Sequence, residues 1–406
     1  MPEPAQTIAS TTGLAACPAC GSSDFHAFYQ VEGSPTNANI LFGSVSEAEK
    51  CPKGDIDLCL CETCGLVFNR LFDPALSEYS DRYEATQGFS PTFSGFQSKL
   101  AEGLIARHDL SGKRVLEIGS GHGEFLLLMS KLGGCHCIGI DPAADPTRIA
   151  GLEGADRVSI LTELYGDDHA ELSVDLLVCK MTFEHIQMAE DFLSQIRRNL
   201  EHNPDTIVFF QVPESRRIFR DGAFEDIYYE HCTYFTPGSL GRLFRRCGFS
   251  VLTIERQYSD QYLIIEAAVR PVSDSALFDI EEDVSDLEQD IRAFETQMER
   301  VKEQWQDRID RASASGGQVV LWGSGAKAVG FLSTVKRDDQ IRFVVDINPH
   351  KANSFMPVSG QKIIAPNDLG DINPDLVIIM NPVYEAEISK DISNMGLSPH
   401  IACLSS

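Results

Sequence analysis

Two stretches of the chain share one pattern of apolar and polar positions. "KRVLEIGSGHGEFLLLMSKLG" (113–133) and "QVVLWGSGAKAVGFLSTV" (318–335) each run from a short apolar segment through spaced glycines into a helical period. That order predicts strand, tight turn and helix, the opening unit of a doubly wound α/β domain. Between them Ile280, Val284, Leu287, Ile291, Phe294, Met298, Val301 and Trp305 recur at steps of four and three. Such a seam predicts one long amphipathic helix over about 275–312, closed by "SASGG" at 313–317. It reads as a connecting helix laid across a domain surface, with a coiled-coil dimer through 275–312 as the alternative to a monomer. The expected layout is a lobe over 1–80, an α/β domain over 81–272, the linker helix over 273–315 and a second α/β domain over 316–406.

Composition changes the picture mainly by exclusion. A length of 406 residues exceeds one ordinary core, and 43% apolar residues suffice to fill several. A formal charge of -26 disfavours binding to nucleic acid or to an anionic membrane surface. No run of about 18 apolar residues occurs, and "MPEPAQTIAS" lacks the basic-then-apolar order of an export signal, so a cytoplasmic location is expected. Twelve cysteines in such a chain read as reduced thiols and metal ligands.

The cysteines sharpen that reading. "CPACG" supplies Cys17 and Cys20, and "CETCG" supplies Cys61 and Cys64, two knuckles that each end in a glycine. Four thiolates so paired match a closed, structural tetrahedral zinc site. Cys51 and Cys59 are the competing ligands by proximity. A nucleic-acid-binding ribbon is the rival role for such a lobe, and its acidic surroundings argue against it.

In "VLEIGSGHGEF" the strand delivers Glu117, Gly119, Gly121 and Gly123 to the turn, where a ligand can lie against bare backbone near a helix N-terminus. Asp141 ends a second strand and is placed for two ribose hydroxyls, a spacing that suits either a dinucleotide or S-adenosylmethionine. The Glu-x-Gly-x-Gly-x-Gly form resembles the first motif of class I methyltransferases, which implies S-adenosylmethionine as cofactor. "VDLLVCKMTFEHI" then brings Glu184 and His185 beside it, His185 as a cofactor-side residue or a helix-start histidine satisfied by its neighbours.

"YYEHCTYFT" (228–236) raises the chemical question, because its Glu230–His231 pair sits among tyrosines past the strand "TIVFFQVPE". Histidine, with an ordinary pKa of about 6.5, suits removal of a proton from a carbon next to a ketone, and Tyr228 or Tyr79 suits donation to the enolate oxygen. The alternative from these residues alone is a buried polar cluster that anchors the loop.

The order of zinc knuckles, class I core, "YYEHCTYFT" and a glycine-opened last domain resembles the C-methyltransferases that build branched deoxysugars on nucleotide-linked 4-keto sugars. The resemblance spans nearly the whole chain. In that family the segment reads Tyr-His-Glu-His-x-x-Tyr-Phe-Ser, matched here at Tyr228, Glu230, His231, Tyr234 and Phe235, with Tyr229 in place of a histidine. It implies His231 as base, Tyr228 and Glu230 beside it, and Tyr79 or Tyr83 from "EYSDRYEATQGFSPT" closing over a nucleotide-linked substrate. "VVLWGSGAKAVGFL", "FVVDINPHK" and "NPDLVIIMNPVYEAEI" resemble the family's substrate-holding last domain, which makes Lys327 and Asn381 candidates for contact. Read alone, Gly323, Gly325 and Asp346 would suggest an NAD site; the resemblance implies a relic without one. A Gly-Gly-Ser-Leu-Arg run is missing at 258–269, and "MTFEHI" replaces Asn-Val-Leu-x-His-Val. An O- or N-methyltransferase of the same architecture and a non-catalytic zinc-stabilised binding protein are the other readings.

Overall fold

The computed structural model describes residues 13–77, 79–80, 82–271, 277–314 and 316–404. The segment "MPEPAQTIAS", read above for an export signal, lies outside them, as do parts of the linker stretch. No helix among the described residues is long and apolar enough to cross a membrane.

The N-terminal lobe is built on β1 (Phe25–Pro35), β2 (Lys53–Cys61) and β3 (Val67–Asn69), paired antiparallel. The central sheet follows, from β4 (Arg114–Ile118), β5 (His136–Ile140), β6 (Val158–Leu161), β7 (Leu176–Lys180) and β8 (Ile207–Pro213). These five lie parallel in the order β6-β5-β4-β7-β8. Val115, Leu116, Leu176, Leu177 and Val178 are buried, as strands covered on both faces must be. The order reverses beside β4, so the glycine turn after it opens at the switch point where such sheets bind ligands.

A short strand, β9 (Thr233–Tyr234), leaves this sheet and pairs with β3 instead, Tyr234 opposite Val67 and Thr233 opposite Phe68. The tyrosine-rich segment is thereby fastened to the cysteine lobe. The hairpin β10 (Ser250–Gln257) and β11 (Tyr262–Ala268) completes the central sheet, with β11 antiparallel to β8. The last sheet is wholly parallel: β12 (Val319–Trp322), β13 (Ile341–Val345), β14 (Lys362–Ile364), β15 (Leu376–Ile379) and β16 (His400–Cys403), in the order β14-β13-β12-β15-β16.

The long helix spans Val284–Ser313 and starts later than its apolar seam suggests. Asp283 caps it by accepting from the Asp286 amide. Just before the cap, Glu281 pairs with Arg245 at 2.6 Å and Glu282 accepts from the Gly238 amide at 3.1 Å, which holds this stretch out of helical geometry. Leu287, Ile291, Phe294, Met298 and Trp305 are buried within the chain. Phe294 meets Tyr29 edge-on at 5.3 Å between ring centroids and Trp305 meets Phe331 at 5.8 Å. The seam thus ties the first lobe to the last domain.

Candidate active site

Gly119, Gly121 and Gly123 take φ of 69°, 52° and 93°, the left-handed region in which a side chain is strained. A methyl group on Gly119 would also overlap the Thr182 hydroxyl, and one on Gly123 would press on Ile160 at 2.8 Å. Asp141 receives the amides of Gly121 and Ala143, each at 2.8 Å, and its remaining lone pairs stay open to a ligand. Glu117 is buried; its Oε1 accepts from Lys180 Nζ at 3.0 Å while Oε2 has no partner. Such an orphaned, buried carboxylate oxygen at the strand end fits the ammonium group of an amino-acid moiety, and Asp141 fits a ribose. The donor set therefore suits S-adenosylmethionine.

The turn after β7 leads from this site to a second one. Met181 stands at φ 50°, and the 3₁₀ turn Phe183–His185 follows. Here a cavity of about 330 Å³ is lined by Met181, Glu184, His185, Tyr228, Glu230 and His231 on one side and by Gly323, Gly325, Lys327 and Asp346 on the other. The glycines after β4 do not line it. Thr182 is their neighbour, and Met181 and His185 reach the cavity from the same turn.

His231 is 5% exposed, and its Nε2 meets the Tyr228 hydroxyl at 2.7 Å. Burial pushes His231 well below the usual histidine range and pushes Tyr228 well above the usual phenol range. Both groups are therefore neutral, and the hydrogen bond joins Nε2 to the tyrosine hydroxyl. His185 stands edge-on to His231 at 5.0 Å between centroids, lowered to about 4 by burial, with Nδ1 at 3.1 Å from the Tyr79 hydroxyl. Its place is the cavity wall, one turn from the glycine loop. Donor atoms of Glu184, His185 and His231 lie within 4.8 Å of one another, but hydrogen bonds with Tyr79 and Tyr228 already engage both rings.

Glu230 anchors its segment, through partners that the sequence did not name. It accepts from Asn37 Nδ2 at 3.0 Å and from the Ala38 amide at 2.9 Å, and hydrogen-bonds to Tyr83. The acid is a clamp between the base segment and the first lobe, and Tyr83 closes that clamp.

In that lobe Cys17 Sγ lies 3.6 Å from Cys64 Sγ, and Cys20 Sγ lies 3.5 Å from Cys61 Sγ. All four sulfurs fall within 4.8 Å of one another. Ligands at about 2.3 Å from a tetrahedral zinc stand roughly 3.8 Å apart, so the set fits. Cys51 packs among Ile40, Phe42 and Ala48, and Cys59 points its thiol at the Asp57 carbonyl, outside the cluster.

Comparisons with known proteins agree with this geometry. Residues 95–254 match the family described as a methyltransferase domain, and residues 272–397 match that of a C-methyltransferase C-terminal domain. The C-methyltransferase NovU of Streptomyces niveus is 26% identical over 386 residues, covering 92% of this chain and 90% of that protein. The protein is an S-adenosylmethionine-dependent methyltransferase, similar to a C-methyltransferase over most of its length. Among solved structures, a methyltransferase from Aquifex aeolicus is 18% identical over 49% of this chain and 99% of its own, with a TM-score of 0.36. The 1,6-didemethyltoxoflavin-N1-methyltransferase of Burkholderia thailandensis is 18% identical over 43% of this chain and 79% of its own, with a TM-score of 0.34.

The methyltransferase also places the two last-domain candidates. Lys327 pairs with Asp226, which Arg217 also holds. Asn381 exchanges two hydrogen bonds with Gln261, at 2.8 and 2.9 Å, so the departing stretch 258–269 does reach the cavity wall. Arg217 and Asp226 escaped the sequence reading as site residues, because nothing in their local pattern distinguishes them from ordinary turn and helix charges.

Proposed function

We propose that the methyltransferase alkylates a carbon next to a ketone on a sugar linked to a nucleotide diphosphate, with His231 as the general base. The observation that carries this is a neutral imidazole, its Nε2 beside the Tyr228 hydroxyl, on the wall of a cavity that adjoins the glycine turn. Glu117, Gly119, Gly121, Gly123 and Asp141 would hold the cofactor, which when bound supplies an electrophilic methyl group. His231 takes the proton of the carbon acid at Nε2, and Tyr228 keeps the ring in the accepting tautomer until substrate displaces its hydroxyl. Glu230 and Tyr83 hold the segment in place, and the last domain supplies the far wall of the cavity, where a nucleotide would lie. Replacing His231 with alanine should lower kcat by about 10³-fold or more and leave S-adenosylhomocysteine affinity, by calorimetry, unchanged. A parallel loss of affinity would make the ring a structural support.

The four-sulfur site is proposed to hold one structural zinc ion. Because β3 follows the second knuckle directly and pairs with β9, the metal steadies the base segment through two strands. Cys61→Ser should release zinc by elemental analysis and lower Tm, and the activity that remains should show a reduced kcat with normal cofactor affinity.

A further inference from the structure

We propose that the carboxyl group of Glu184 donates a hydrogen bond to the ketone oxygen as negative charge develops there, making it a catalytic residue distinct from the base. The inference rests on the carbon-acid reading of His231. Glu184 occupies the turn after β7, and its carbonyl accepts from the Cys232 amide at 3.0 Å, which fixes it to the base segment. The side chain is 1% exposed, faces the cavity, and has no hydrogen-bond partner at either oxygen. Oε1 lies 3.9 Å from His231 Nε2. That is too long for a hydrogen bond, yet it suits two groups that address the two ends of one H–C–C=O unit.

Two observations make Glu184 a donor instead of a second base. The Tyr79 hydroxyl is committed to His185 and the Tyr83 hydroxyl to Glu230. Only the backbone amide of Glu184 itself favours the ionised carboxylate, and burial outweighs it. His185 and His231 are both pushed to their neutral forms. Tyr79 and Tyr83 from the loop, Tyr228 and Cys232 from the base segment, Cys179 from β7 and Tyr262 from β11 are all shifted upward by burial. Glu230, the other carboxyl on the cavity wall, is raised to about 7 and adds no positive charge. Glu184 has no lysine or arginine ion pair among the described residues, and burial raises it to about 8, so the acid form prevails at neutral pH. A carboxylic acid kept neutral in an apolar site is a strong donor to an enolate oxygen.

In the step the C–H bond breaks, its proton goes to Nε2 of His231, and its electron pair forms the C=C bond while charge moves to oxygen. Glu184 keeps its own proton. When the new C–C bond forms, the carbonyl is restored and the hydrogen bond weakens.

The test uses cofactor-free enzyme and a thymidine diphosphate-linked 4-keto-6-deoxyhexose in deuterated buffer, with exchange of the hydrogen next to the ketone followed by NMR. Glu184→Gln retains a donor that does not ionise, and Glu184→Leu removes the donor at similar volume. The unaltered enzyme should exchange, with a rate that falls as pH rises through about 8. Glu184→Gln should stay within about tenfold and lose the alkaline fall, whereas Glu184→Leu should drop by about 10² to 10³-fold. Unchanged S-adenosylhomocysteine affinity and Tm would show that both variants fold. An infrared band of a protonated carboxyl at pH 7, absent from Glu184→Gln, supports the assignment without any substrate, and its absence overturns it. Equal loss in both variants, or an alkaline fall that persists in Glu184→Gln, overturns the inference alone. No exchange in the unaltered enzyme overturns the carbon-acid reading, and this inference with it.

Discussion

The two glycine-opened turns carry the same Gly-Ser-Gly tripeptide, at 119–121 and 323–325, and they are built for different tasks. After β4 three glycines are left-handed; after β12 only Gly323 is, at φ 107°, while Gly325 has an ordinary φ of -80°. Two residues before the first turn stands Glu117 with its unpartnered oxygen, and at the matching place before the second stands Leu321. Their register partners differ too, Gly139 opposite Glu117 and Val344 opposite Leu321. The bare Gly139 leaves room that the Ser120 side chain fills, so Asp141 is bonded by backbone alone. In the second unit Ser324 turns onto Asp346 with both amide and hydroxyl, and Lys351 Nζ stands 3.9 Å from that carboxylate. A glycine fingerprint therefore marks a backbone shape, and the residues facing it across the sheet settle whether a ribose carboxylate stays available.

The largest test of this contrast is a methyl group. Gly119→Ala meets both the strained φ and the Thr182 hydroxyl, and should weaken S-adenosylhomocysteine binding about 100-fold or more, roughly 2.7 kcal/mol. Gly325→Ala, whose added carbon would find nothing nearer than Asn39 Oδ1 at 3.9 Å, should leave that affinity within about twofold. Equal effects by calorimetry would end the distinction between the turns. A smaller test exchanges the carboxylates. Asp141→Ala should cost about 2 kcal/mol of cofactor binding, near 30-fold, for hydrogen bonds to a charged group. Asp346→Ala should leave cofactor binding alone and raise the KM of the acceptor, because Asp346 lines the cavity proposed for the acceptor.

Much of the architecture was open to reading because it depends on local pattern. The apolar runs before each glycine turn are strands, and the paired knuckles bring their sulfurs together, with Gly21 and Gly65 at φ 72° and 73° where each knuckle must turn back. The seam of the linker helix is buried within the chain, although the helix begins at Val284 because Glu281 and Glu282 are held by distant partners. In the candidate site, His231, Tyr228 and Tyr79 were picked out by residue type and order, and the structure brings them near one another through His185. The clamp role of Glu230 was not, since its partners Asn37 and Ala38 are almost two hundred positions away.

What the amino-acid order determined by itself is therefore whatever short-range physics specifies: the strand and helix periods, the left-handed turns that demand glycine, and the spacing of the thiols. Tertiary structure alone decided that β9 would pair with the cysteine lobe, that His185 would face His231, and that Glu184 would sit buried between them without a partner. Those features depend on which groups are shut away from water together. Burial and the partners it supplies or withholds set protonation and hydrogen bonding, and no local pattern encodes them.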